Sequence, residues 1–171
     1  MSTTMAVEPL SILHTGVFLA VVYGLYGWLV AVPWAPFLLA GRVRRLFDSI
    51  PPSEWRVNYA LWLPVPGAVW GFLCGCVVSL SLDVRPTGKA SPLYVSGVDG
   101  IAAATAVSLL LWPTLLLYVL PNRGFDWYAE DRVPTTVLLV VAAAVWYLLW
   151  LVVPTYVLAV FAGFGDSFSA T

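Results

Sequence analysis

The residues that could hold a metal ion or a redox group are few and scattered. The single histidine, His14, stands at the start of an apolar segment, and the two cysteines, Cys74 and Cys76, lie inside the next one. One histidine cannot supply a bis-imidazole haem or a two-histidine zinc motif. Residues two apart on a helix point about 200° away from each other, so the cysteines are poorly placed to share a metal ion. We therefore predict no metal site and no cofactor, and we interpret both cysteines as packing residues.

One carboxylate, Asp99, lies within an apolar segment, directly before Gly100. Two interpretations are open: an acid at a helix start is stabilised by the helix dipole, and acids inside membranes often mark an ion or proton path. No lysine or arginine lies in the apolar segments to pair with it. We favour the helix-start interpretation of Asp99. We still keep Asp99 and His14 as candidate ion- or ligand-binding residues. For His14, a second copy of the chain or a partner protein would have to supply the further ligands.

The densest polar segment, 121–133, mixes acids and arginines with aromatic residues. Its three acids offer the oxygen ligands that divalent cations prefer, but they can equally pair with the arginines while the aromatic residues anchor the segment. We favour the anchored loop. No P-loop, nucleotide-binding glycine motif or paired-carboxylate site occurs in the sequence. We therefore name no catalytic residue and favour a protein without enzymatic activity.

The composition places these residues in a lipid bilayer. Of 171 residues, 61% are hydrophobic and 10% are charged, whereas soluble domains contain about 25% charged residues. Each of four apolar segments exceeds the roughly 20 residues that cross a hydrocarbon core, and none alternates as β-barrel strands do. The sequence predicts one all-α integral membrane domain over residues 1–171, a bundle of four transmembrane helices with spans 13–39, 57–82, 98–120 and 134–164.

Basic residues predict the orientation of the spans. The first connection holds four arginines and the third holds two, the second holds Arg85 and Lys89, and the tails hold none. Because loops rich in basic residues stay in the cytoplasm, we predict that loops 40–56 and 121–133 are cytoplasmic and that both termini are outside. A net charge of −1 without a long basic block excludes a nucleic-acid partner.

The segment Pro36–Ile50 has an amphipathic pattern. Its apolar residues follow helical spacing at Leu39, Val43, Leu46, Phe47 and Ile50. We predict either a helix lying on the inner leaflet with this face in lipid or a solvated loop. The candidate lipid- or partner-binding residues in this segment and in the third connection are Arg42, Arg44, Arg45, Asp126, Trp127, Tyr128, Glu130 and Asp131.

Small residues recur every four positions in the second span, at Gly67, Gly71, Gly75 and Ser79. On a helix they form one smooth stripe that another backbone can approach closely. A weaker series follows in the third span, at Gly100, Ala104 and Ser108. We predict that the two stripes pack against each other, or that the first stripe forms a homodimer.

These features favour a small polytopic membrane protein that acts as a non-catalytic helical subunit or scaffold. Its expected partners are the lipid bilayer and either other membrane proteins or further copies of itself. The alternative is a small transporter or channel, acting as an oligomer on a neutral or lipid-like substrate. The lack of ionisable groups inside the spans disfavours an ion path.

Overall fold

Helices form most of the chain that the computed structural model describes, namely residues 9–51, 54–84, 92–125, 127 and 134–169. Within these residues, four helical stretches are long and apolar enough to cross a membrane: Pro9–Leu39, Trp55–Leu80, Gly97–Asn122 and Pro134–Phe161. The predicted fold class, an all-α bundle of four candidate transmembrane helices, is confirmed.

The helices begin and end as follows: α1 Pro9–Trp34, α2 Gly41–Ser49, α3 Trp55–Trp62, α4 Pro64–Val84, α5 Pro92–Thr114, α6 Leu120–Asn122 and α7 Pro134–Ser169. A 3-10 helix, Ala35–Leu39, extends α1, and a π-helix, Leu115–Val119, joins α5 to α6. Leu63 keeps helical dihedral angles between α3 and α4. These two helices therefore make up the second span together.

The closest contact in the bundle joins α1 to α4 through glycines. A Cβ atom added at Gly67 or at Gly71 would collide with a main-chain carbonyl oxygen of α1, and one added at Gly75 would lie 2.8 Å from the Thr15 carbonyl oxygen. Glycine is needed on the α1 side as well, because a Cβ added at Gly27 would lie 2.9 Å from the Pro64 Cα of α4. The two backbones touch along this line, which only glycine permits.

The predicted pairing of the glycine stripe with Gly100, Ala104 and Ser108 is wrong, because α1 of the same chain packs on the stripe. Gly100 lies against another part of α4, where its added Cβ would be 3.0 Å from the Cys74 carbonyl oxygen. Ser79, the last member of the stripe, is half-buried.

Long aromatic side chains join α7 to α1. The Trp34 indole N–H donates to the Ala143 carbonyl at 3.1 Å, and the Trp146 indole N–H donates in the opposite direction, to the Pro33 carbonyl at 2.9 Å. Hydrogen bonds inside a bilayer have no water to compete with them, and an unpaired carbonyl there is costly. The two indoles therefore fasten the helices to each other.

A third bond between these helices compensates for a proline. Pro154 lies inside α7 and has no N–H, so the Trp150 carbonyl loses its helical donor. The Tyr26 hydroxyl of α1 donates to this carbonyl at 3.0 Å. The side chain of one helix thus replaces the hydrogen bond that the other helix cannot make.

Because the Tyr26 hydroxyl replaces the N–H that Pro154 lacks, substitutions at these two positions should have non-additive effects on the free energy of unfolding. Tyr26→Phe removes the donor, and we expect it to lower the free energy of unfolding by about 1 kcal/mol. In a Pro154→Ala background the helix supplies its own N–H, so the same substitution should cost much less. Unfolding curves of the four proteins in detergent micelles would test this, and equal losses in both backgrounds would contradict it.

Candidate binding surface at the arginine-rich end

Helix α2 lies across the end of the bundle where α1 ends and α7 begins. Its apolar side chains, Val43, Leu46 and Phe47, are only 5–7% exposed because they pack on the protein itself. Val43 and Phe47 join the main core, and Leu46 packs in a second cluster with Trp127. The predicted amphipathic helix is present, and the bundle covers its Val43, Leu46 and Phe47 side chains, whereas Leu39 of the predicted apolar face is 81% exposed.

The connection after α2 is held by a buried amide. Asn58 of α3 is fully buried, and its Nδ2 donates to the Phe47 carbonyl at 2.8 Å and to the Ile50 carbonyl at 2.5 Å. Asp48 accepts a bond from the Trp55 main-chain N–H at 3.0 Å and so caps α3. Sequence reasoning missed Asn58, although it is the single amide side chain in the second apolar segment.

The three arginines of α2 have different roles. The Arg42 guanidinium donates to the hydroxyls of Thr135 and Thr136, at 2.9 and 3.1 Å, and thereby ties α2 to the start of α7. Arg44 donates through Nε to the Leu38 carbonyl at 2.6 Å and is otherwise exposed. Arg45 is exposed as well. Arg42 is thus half-buried and structural, and the other two face outward.

A further arginine, Arg56, contacts the same aromatic ring as Arg44. The two guanidinium carbons lie 5.4 Å and 5.9 Å from the centre of the Trp55 ring, within the range of cation–π contact. Arg56 was counted for orientation in the sequence but not assigned to the binding surface. Only the structure relates it to Arg44, because both guanidinium groups contact the Trp55 ring.

This end of the bundle carries a net positive charge among the described residues. The acidic side chains at this end are Asp48, which accepts the Trp55 N–H at the start of α3, and Glu54, which is exposed. Its arginines are Arg42, Arg44, Arg45, Arg56 and Arg123. By sequence the third connection, 121–133, holds three acids and two arginines, so the excess of positive charge lies in residues 41–62, and this part of the surface suits an anionic partner.

The third connection is anchored by Trp127, which is 4% exposed. Its indole N–H donates to the Leu116 carbonyl at 3.0 Å. In the π-helix each carbonyl accepts from the residue five positions on, which for Leu116 is Pro121, and proline has no N–H. Trp127 replaces that donor, so its side chain is unavailable to a partner. The other predicted residues of this loop lie outside the described residues: Asp126, Tyr128, Glu130 and Asp131.

An apolar groove runs along the outside of the bundle between α1 and α4, with a volume of about 370 Å³. Ala20, Gly24 and Ala68 are its smallest lining residues, and it extends along α1 from Val17 to Trp28. At 3.4 Å, an added Cβ at Gly24 would make only ordinary contact with Ala68. The helices therefore touch less tightly here than along the glycine stripe.

The groove ends towards the arginines. There the Trp28 indole N–H donates to the Ala60 carbonyl of α3 at 2.9 Å. Pro64, another lining residue, is the reason that this carbonyl lacks a helical donor. Trp28 is thus fixed where the groove meets the arginine-rich end.

The comparisons place the chain in a family. A family model described as "Domain of unknown function (DUF8162)" matches residues 14–166, which is most of the chain and includes three spans completely and the first from His14 onward. The chain belongs to the DUF8162 family. No curated protein and no solved structure matches this DUF8162 chain.

Two candidate residues of this DUF8162 member lie away from the arginines. His14 is exposed near the start of α1, and Asp99 is half-buried in α5. Because α5 begins at Pro92, Asp99 lies about two turns inside the helix, whereas the dipole acts within the first turn. The helix-start interpretation of Asp99 is therefore wrong.

The cysteines of the DUF8162 chain are free thiols in packed positions. Cys74 is 4% exposed, and Cys76 is half-buried, with its sulfur 3.1 Å from the position of an added Cβ on Gly16. The described part of the chain contains no group of three or more histidine, cysteine, aspartate or glutamate residues that could hold a metal ion. The cysteines fill space between helices.

Proposed function

We propose that this DUF8162 protein is a multi-pass membrane protein that acts as a non-catalytic helical subunit or scaffold. The observation that supports this most directly is the use of its interior polar groups. Four of the indole and phenol donors in the bundle bond to main-chain carbonyls of other elements: Trp34 to Ala143, Trp146 to Pro33, Tyr147 to Leu63, and Tyr59 to Ala31. The interior is built to hold helices together, and the exposed charge is gathered at one end.

The partner-facing surface is the arginine-rich end. In the orientation that the basic residues favour, this end lies in the cytoplasm and both termini lie outside. Arg44, Arg45 and Arg56 are exposed there. The partner is a membrane protein with an acidic cytoplasmic segment, which complementary charge would bring to this end, or a second copy of this chain.

Native mass spectrometry of the protein, extracted gently from its own membrane, would test the proposal. We expect a stoichiometric complex with a partner protein or with a second copy. Arg45→Glu should reduce the bound fraction at least about tenfold, because a reversed charge repels an acidic partner. The matched control is Arg85→Glu in the second connection, which should leave the complex intact. A lone chain in every preparation, or equal losses in both variants, would contradict the scaffold function.

A further inference from the structure

A row of residues on α3 and α4 leads from the groove between α1 and α4 to Arg56. Along α3 and α4, Arg56, Ala60, Pro64 and Ala68 follow each other at four-residue intervals, and residues so spaced form one ridge on a helix surface. Ala68 and Pro64 line the groove, and Ala60 holds Trp28 at the end of the groove. Arg56 is the next residue on this ridge and is exposed.

The groove lies within reach of a lipid whose headgroup is at Arg56. It occupies the middle of the first span, Pro9–Leu39, and its residues Pro64 and Ala68 lie near the middle of the second, Trp55–Leu80. Twelve residues separate Arg56 from Ala68, a rise of about 18 Å along α3 and α4, which is slightly more than half of a hydrocarbon core of about 30 Å. A partner helix would cross the whole core, whereas an acyl chain from the arginine-rich end would stop in this groove.

The arginines supply the complementary charge for a headgroup. The Arg56 and Arg44 guanidinium carbons lie 5.4 and 5.9 Å from the centre of the Trp55 ring, and no ion pair joins either arginine to an acidic side chain among the described residues. Guanidinium groups bind phosphate through paired N–H donors. Asp48 and Glu54 are the acids of this region, and they balance only two of the four arginines in residues 41–62, so the region stays net positive.

From this juxtaposition we infer that Arg56 and the α1–α4 groove form a binding site for one anionic phospholipid. Its phosphate lies at Arg56, and one acyl chain occupies the groove over Ala20, Gly24 and Ala68. The inference rests on the membrane location in the proposed function and adds a bound lipid to it. It does not depend on a protein partner.

Lipid retention by the single chain, purified away from other proteins, tests the site. We would delipidate the protein, add phosphatidylglycerol or phosphatidylcholine with the same acyl chains, and measure bound lipid by native mass spectrometry. We expect one phosphatidylglycerol per chain, retained at least about tenfold better than phosphatidylcholine. Arg56→Gln should abolish this preference, and Arg56→Lys should keep most of it.

Two further variants separate a built site from general charge attraction. Arg123→Gln removes a charge from the same end, but Arg123 follows α5 and α6, neither of which lines the groove, so retention should not change. Ala20→Leu fills the groove and should lower retention of both lipids at an unchanged melting temperature. Val22→Ala, at an exposed α1 residue that does not line the groove, is the control for the second variant.

Three results would overturn the inference. They are equal retention of the two lipids, equal losses in Arg56→Gln and Arg123→Gln, and a second copy of the chain bound in place of lipid. Because the measurement uses the isolated chain, it can fail while a protein partner is still found. It can equally succeed when no partner is found, so the two proposals are tested separately.

Discussion

Replacing Gly71 with leucine is expected to separate α1 from α4 and to prevent the bundle from forming. The first added atom, Cβ, already collides with the Leu19 carbonyl oxygen and lies 2.9 Å from Tyr23 Cβ. A main-chain oxygen cannot rotate away, so the helices themselves must move apart. Even Gly71→Ala should cost about 1–3 kcal/mol, the usual range for overpacking a tight contact. The measurement is the melting temperature in detergent together with the yield of monodisperse protein.

Gly97→Ala is the matched control for this experiment. It is also a glycine within a span helix, but an added Cβ there meets only Ala159, at 3.9 Å. Alanine favours a helix over glycine by up to about 1 kcal/mol, so this variant should melt at or above the wild-type temperature. Equal melting temperatures for Gly71→Ala and Gly97→Ala would contradict the backbone contact between α1 and α4.

The second large effect is expected from Asn58→Leu, which keeps the side-chain volume but removes the amide. The Phe47 and Ile50 carbonyls would then lose their donor at a buried position. Each unsatisfied buried group costs about 1–3 kcal/mol, so we expect a loss of about 2–4 kcal/mol and the release of α2 from the bundle end. Faster amide hydrogen exchange over residues 41–49 would report this release directly.

Asn122→Leu serves as the control, because Asn122 is an exposed asparagine at the same end of the bundle. It should leave exchange over residues 41–49 and the melting temperature near those of the wild-type protein. Unchanged exchange in Asn58→Leu would show that α2 is held by its apolar face alone.

The sequence is sufficient to predict the four spans because apolar length is a property of each segment by itself. Segment 57–82 corresponds to α3 and α4, which run from Trp55 to Val84. The partner of the glycine stripe could not be predicted in the same way. Four-residue spacing shows that one face is smooth, but not which helix lies on it. The matching feature lies in α1, at Gly16 and Gly27. The small size of these glycines becomes informative only when α1 is known to lie along α4.

The binding surface was predictable only in outline. The arginines of the first connection are evident from composition, but apolar periodicity cannot tell whether α2 faces lipid or protein, since both surroundings are apolar. The structure resolves this through Phe47 and Asn58, which join α2 to the core. Arg56 could not be assigned to this surface from the sequence for a similar reason. Its relation to Arg44 depends on where the Trp55 ring lies, since both arginines contact that ring.

The glycine contact between α1 and α4 also has a consequence for assembly. These two spans are consecutive in the chain, and their backbones meet without the help of any later segment. Because synthesis proceeds from the N-terminus, this helical hairpin can be complete before the ribosome has made α7. The last span then enters a membrane that already holds its docking surface, and its indole and phenol bonds to α1 close the bundle.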